Sequence, residues 1–128
     1  MRFSTLVVVG DRKGKVGVAI AKAPDVRSSV RKAMESAKRK MITVPIKGTT
    51  IPYSVTEKFS AAKVMLKPAP PGSGIIAGGA MRVVLESAGI RDAVGKILGT
   101  KNKTSNVYAT LKALDSISKL DKVRNRKK

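Results

Sequence analysis

FSTLVVVGDRKGKVGVAIA, residues 3–21, sets the opening of the fold. Residues 3–9 are rich in β-branched side chains and read as a strand. Residues 15–21 alternate loosely and read as a second strand. Between them, Gly10-Asp11-Arg12-Lys13-Gly14 has the length and turn residues of a hairpin loop, with two adjacent cations at its tip. Pro24-Asp25 then opens a helix, Pro being tolerated and Asp favoured in a first turn. Val26, Val30, Ala33, Met34, Ala37 and Met41 fall at helical spacing and form its predicted apolar face. Arg27, Arg31, Lys32, Lys38, Arg39 and Lys40 take the remainder.

Composition shifts near residue 41. Residues 41–46 and 51–57 are short β-like runs around a Lys47-Gly48-Thr49-Thr50 turn, and 62–67 is a further strand. A Pro/Gly loop covers 68–74. A short helix is predicted over 80–88, with Met81, Val84, Leu85 and Ala88 on one side and Gly89 as its stop. A strand follows at 93–98. A last helix spans 105–120, with Val107, Leu111, Leu114 and Ile117 as its stripe. The pattern predicts an α+β protein of two small modules, 1–41 and 42–118, with a loose or RNA-ordered basic tail at 119–128. A module of about 40 residues is below the size that usually folds unaided, so the first needs packing against the second or against RNA. The sequence carries no internal repeat.

Charge points to the partner. Among 128 residues, 27 are Lys or Arg and 8 are Asp or Glu, a formal net charge of +19. Residues 1–64 carry 14 basic and 4 acidic side chains and residues 65–128 carry 13 and 4, so the excess is spread along the chain. Such a field suits a surface apposed to phosphate. There is no Cys and no His. That removes disulfides, the common zinc sites, thiol nucleophiles and imidazole-based triads. The carboxylates are Asp11, Asp25, Glu35, Glu57, Glu86, Asp92, Asp115 and Asp121, no two closer than six residues, so no local calcium loop or paired-acid motif exists. The longest uncharged run, Pro68–Met81, is 14 residues and rich in Pro and Gly, short of the roughly 20 apolar residues of a membrane span. No targeting segment is visible, and a hydrophobic content of 42% is enough for a core.

Two glycine motifs and the aromatics refine this. Gly72-Ser73-Gly74-Ile75-Ile76-Ala77 matches a dinucleotide fingerprint, with Asp92 twenty residues past Gly72. That mechanism needs the glycines to turn directly from a parallel strand into a helix. Here Pro68, Pro70 and Pro71 intervene and no βαβ repeat follows. The segment is read instead as a loop into a helix, whose free N–H groups can meet an RNA phosphate. Gly14-Lys15-Val16-Gly17 matches the G-x-x-G of KH modules but sits in the predicted hairpin, so its role is structural. The four aromatics, Phe3, Tyr53, Phe59 and Tyr108, form no base-stacking string, which favours recognition of RNA shape and backbone.

The sequence resembles bacterial small-subunit ribosomal protein five over roughly residues 2–115. Val8-Val9-Gly10-Asp11, Gly14-x-Val16-Gly17, Lys22-Ala23, Lys32-Ala33 and Ala37-Lys38-Arg39 match its first domain. The more specific run is Lys67-Pro68-Ala69, then Gly72-x-Gly74-Ile75-Ile76-Ala77-Gly78-Gly79-Ala80-Met81-Arg82-x-Val84-Leu85-Glu86-x-Ala88-Gly89-Ile90, continued by Gly99-Thr100-x-Asn102 and Val107-x-Ala109-Thr110. The resemblance implies two domains. The first is a double-stranded-RNA-binding-like hairpin and helix that lacks the family's usual first strand and basic loop. The second is an α/β sandwich with a left-handed βαβ crossover. It further implies a non-enzymatic, cytoplasmic ribosome component that binds ribosomal RNA, touches ribosomal proteins four and eight, joins head to body near the messenger path and influences decoding accuracy.

The RNA-binding candidates are Arg2, Arg12, Lys13, Lys15, Lys22, Lys47, Lys67 and Ser73. Arg12, Lys13 and Lys15 match RNA-facing positions, and Gly74 and Arg82 match the segment that packs near protein four. No cofactor, metal, membrane or small-molecule substrate is implied. Departures from the family pattern are Ala19 and Ala21 in place of glycines, Lys103 in place of Pro and Tyr108 in place of Arg. Two other classes compete. An enzyme on the related small-molecule kinase fold lacks the serine run that its phosphate loop needs. A non-ribosomal RNA-binding module or chaperone shares the composition but not the resemblance.

Overall fold

The computed structural model describes residues 3–100 and 102–126, with side chains through residue 123 in the last helix. Arg2 and the last two tail residues lie outside them. The first sheet has the order β1-β2-β3, from β1 (Phe3–Gly10), β2 (Lys15–Ala23) and β3 (Ile42–Thr43). β1 and β2 pair antiparallel from Phe3↔Ala23 to Gly10↔Val16. β3 returns to β2 at Lys15↔Thr43 and Val16↔Ile42, so the first sheet draws on residues beyond 41.

Helix α1 (Val26–Arg39) covers one face of this sheet. Asp25 is its N-cap, one position ahead of the expected first turn. Its carboxylate accepts the Ser28 N–H at 2.8 Å and the Ser28 hydroxyl at 3.0 Å, which holds the Asp25 pKa below the usual range. The predicted apolar face is rotated. Ser29, Ala33 and Ala37 are buried against the sheet, whereas Val26 and Met34 are 53% and 39% exposed. Close approach explains the rotation. A Cβ at Gly17 of β2 would lie 2.2 Å from the Ala37 carbonyl oxygen, so only small side chains fit between helix and strand. The Thr5 and Ser29 hydroxyls, 2.7 Å apart, satisfy each other at the same contact.

The second sheet has the order β4-β5-β7-β6, from β4 (Val55–Phe59), β5 (Ala62–Pro68), β6 (Ile75–Ile76) and β7 (Ala93–Leu98). β6 was not expected from the sequence. It runs parallel to β7 at Ile75↔Ala93 and Ile76↔Val94, and α2 (Gly79–Ala88) connects the two. α3 (Lys103–Arg126) outruns its predicted end, so the supposedly loose tail is helical through residue 126. Asn102 caps it by accepting the Ser105 N–H at 3.3 Å.

Period-2 alternation places the layers. Leu6, Val8, Val16 and Val18 of the first sheet and Ala62, Val64, Leu66 and Ala93 of the second belong to one hydrophobic cluster with Met81, Leu85, Leu114 and Ile117. Helices α2 and α3 therefore lie between the inner faces of the two sheets, and α1 lies outside the first. The core is continuous from one predicted module to the other. Tyr108, where the resemblance implies Arg, stacks on Phe59 with ring centroids 5.4 Å apart.

Candidate nucleic-acid interface

Asp11 shapes the hairpin loop. Its carboxylate accepts the N–H groups of Lys13 at 2.7 Å and Lys15 at 3.0 Å, which lower its pKa. Arg12 sits at φ +59°, a left-handed conformation uncommon for a side-chain-bearing residue. The loop is docked onto the C-terminus of α2. The Arg12 N–H donates to the Ser87 carbonyl at 3.0 Å and the Gly14 N–H to the Ala88 carbonyl at 2.8 Å. Gly89, at φ +96°, turns α2 off, so that its own N–H reaches the Glu86 carbonyl and that of Ile90 reaches Leu85. The last four carbonyls of α2, which no helix can satisfy internally, are thus all paired, two by its own stop and two by the hairpin.

The glycine loop before α2 is held from the other side. Asp92 is buried. It accepts the Gly74 N–H at 2.8 Å and the Thr49 hydroxyl at 2.5 Å. The Thr49 hydroxyl, then the backbone N–H groups of Gly74 and Gly72, hold its carboxyl below the usual range. The Thr49 carbonyl in turn accepts the N–H groups of Arg91 and Asp92, both at 2.9 Å. The Gly72–Asp92 spacing therefore has a structural role. The Gly74 N–H, in the loop read as leading into the helix, is occupied by the protein's own carboxylate, and the helix itself starts only at Gly79.

These two contacts frame a groove of about 400 Å³ lined by Arg12, Gly74, Arg82, Glu86, Gly89 and Arg91, among others. Arg82 forms an ion pair with Glu86 at 2.9 Å on the exposed side of α2. Arg12 and Arg91 make no ion pair among the described residues. The groove is therefore net positive, as a site for a phosphate or carboxylate must be. It unites Arg12, assigned to RNA, with Gly74 and Arg82, assigned to a protein neighbour. Arg91 escaped the sequence reading. Its only signal was a position just beyond the helix-stopping Gly89.

The remaining candidates do not join the groove lining. Lys13 and Lys15 are exposed on the same hairpin, and Lys47 is exposed on the turn that carries Thr49. Lys22 lies near the opposite end of β2, Lys67 on β5, and Ser73 in the glycine loop, all exposed. Among the described residues, no group of His, Cys, Asp or Glu could hold a metal ion. None of the described helices is long and apolar enough to cross a membrane.

Family models match both parts of the chain. The one described as ribosomal protein S5, N-terminal domain, matches residues 1–45, and the one for the C-terminal domain matches residues 57–127. The chain belongs to the ribosomal protein S5 family. Small ribosomal subunit protein uS5 of Chloroflexus aurantiacus is 48% identical over 125 residues, covering 98% of this chain and 70% of that relative. Small ribosomal subunit protein uS5c of Spinacia oleracea is 49% identical over 124 residues, covering 96% of this chain and 40% of that relative. The S5 family is structural and non-enzymatic, and the kinase-like alternative falls with that assignment. The S5 assignment also orders the observations above. The hairpin loop belongs to the part matched by the N-terminal model and the glycine loop with α2 to the part matched by the C-terminal one. The groove is built where the two meet.

Proposed function

We propose that this chain is a structural constituent of the small ribosomal subunit that binds ribosomal RNA and neighbouring ribosomal proteins. The observation that carries this reading is the net-positive groove of Arg12, Arg82 and Arg91 beside Gly74, on a chain of net charge +19 within the S5 family. In the finer form of the proposal the hairpin cations face RNA, and Gly74 and Arg82 face ribosomal protein four. Ribosomal protein eight is a further neighbour. The chain then links head to body near the messenger path and tunes decoding accuracy. The hairpin with α1 is read as a double-stranded-RNA-binding-like unit, and β6-α2-β7 as a left-handed crossover.

Sedimentation of a lysate on a sucrose gradient in moderate salt tests the coarse reading. Comigration with small subunits supports it, and a free pool alone refutes it. Gly74→Arg tests the finer one. A Cβ at Gly74 meets nothing within 4 Å, so a side chain there is opposed by the left-handed backbone at φ +75° and by no neighbouring atom, and an Arg adds a fourth cation to the groove lining. The expected outcome is a folded protein that assembles and changes misreading. An unchanged misreading level in assembled subunits would remove the protein-four assignment.

A further inference from the structure

Among the described residues, the second sheet has helices on one face only. Residues Ala62, Val64 and Leu66 of β5 point into the core, so Lys63, Met65 and Lys67 point out. The register carries this face across the sheet. Lys58 lies opposite Lys63, and Lys96 and Leu98 of β7 lie opposite Met65 and Lys63. Ile76 of β6 borders it beside Val94. Leu98 and Ile76 are 47% and 59% exposed.

The charge pattern on this face is one-sided. Among the described residues it carries Lys58, Lys63, Lys67 and Lys96 and no carboxylate. Glu57, the acidic residue of β4, is on the inner face, where its carboxylate accepts the Ser116 hydroxyl of α3. None of the four lysines forms an ion pair among the described residues. Lys58 and Lys63 sit directly opposite each other, an arrangement that destabilises a sheet unless something neutralises it.

We infer that this open face is a second RNA-docking surface, on which Lys58, Lys63, Lys67 and Lys96 contact the phosphate backbone. Charge complementarity selects the occupant. Lysine is depleted in protein–protein interfaces and is the common phosphate partner in nucleic-acid ones. Among the described residues the face has no aromatic side chain, so it offers no stacking platform for bases. Outward residues two apart on a strand are about 7 Å apart, comparable to successive phosphates along one nucleic-acid strand. Lys67 and Lys96 line one shallow depression of this face together with Met65, Val94 and Leu98, an apolar floor suited to long lysine stems that end in a solvated charge.

The inference rests on the ribosomal-RNA reading above, and the test separates the two. The full chain carrying Lys63→Gln, Lys67→Gln and Lys96→Gln is titrated with naked small-subunit ribosomal RNA between 50 and 200 mM salt. Three lost contacts lower the slope of log affinity against log salt by about 2–3, equivalent to roughly a hundredfold or more weaker binding at 0.1 M. The corresponding Lys→Arg variant retains the slope. The thermal midpoint of the Gln variant stays level or rises, because like charges are removed. An unchanged slope in a folded Gln variant, with the parent binding normally, overturns the inference. So does a Gln variant that binds naked RNA normally but no longer joins small subunits, since the face would then dock on protein. Failure of the parent chain itself to bind the RNA would strike the broader reading instead.

Discussion

Gly74 and Gly89 are both left-handed, at φ +75° and +96°, yet their surroundings are opposite. A Cβ at Gly74 meets nothing within 4 Å, whereas one at Gly89 would lie 2.2 Å from the Arg12 carbonyl oxygen. Comparing Gly74→Ala with Gly89→Ala therefore isolates the contact between hairpin and α2 from backbone strain. A left-handed Ala costs about 1–2 kcal/mol. Lower unfolded-state entropy returns about 0.4–1 kcal/mol. The expected net loss for Gly74→Ala is thus about 1 kcal/mol. Gly89→Ala adds the cost of forcing an atom into a packed backbone contact, about 1–3 kcal/mol, for a total of about 2–4 kcal/mol. At roughly 4 °C per kcal/mol for a chain of this size, the midpoints fall by about 4 °C and about 8–16 °C. Thermal unfolding followed by circular dichroism reads both. Equal losses would refute the view that the hairpin backbone is packed against the end of α2.

Three further outcomes are expected. Arg12→Ala with Lys13→Ala lowers the salt slope of ribosomal-RNA binding by up to about 2, while Arg12→Gly, which suits φ +59°, holds or raises the thermal midpoint; a loss of stability on Arg12→Gly would assign the Arg side chain a folding role. The parent chain, if it engages about 6–10 phosphates, loses about 10³–10⁵ in affinity between 50 and 200 mM salt, and a flat response in a binding assay would contradict the electrostatic account. Asp92 has a depressed pKa, so its stabilising contribution is full above the unfolded value of 3.8 and is lost as pH falls through the lower folded one. Asp92→Asn accordingly flattens the decline of the thermal midpoint in acid below that value, and parallel pH profiles for parent and variant would argue against the carboxylate's role at Gly74.

What the sequence revealed and what it hid follow one physical distinction. β1 and β2 were legible because their β-branched residues match a local two-residue period. α2 was legible because Gly89 supplies a stop that acts within its own turn. The phase of α1 was not, because Gly17, distant in the sequence, brings strand and helix so close that Ser29, Ala33 and Ala37 outcompete Val26 and Met34 for the buried face. β6 is two residues long and exists only through pairing with β7. Charge and family resemblance make the hairpin cations candidates, but the groove needs Arg91 and the docking of the loop on α2, neither of which has a local signature. Asp92 shows the converse. Its spacing from Gly72 was visible, and only the Thr49 and Gly74 contacts reveal what the spacing does.

The docked hairpin also has a consequence for the order in which the chain is made. Arg12 and Gly14 donate to carbonyls of residues 87 and 88, which leave the synthesising ribosome about 75 residues later. At about 5–20 residues per second, the loop waits roughly 4–15 s for its partner after it is made. During that interval β1 and β2 can pair, but the loop that joins them lacks its seat, and Leu6, Val8, Val16 and Val18 lack the helices that cover them. The N-terminal hairpin of this protein is thus completed by the segment whose helix it caps, and a nascent chain halted before α2 emerges should expose that apolar face to chaperones.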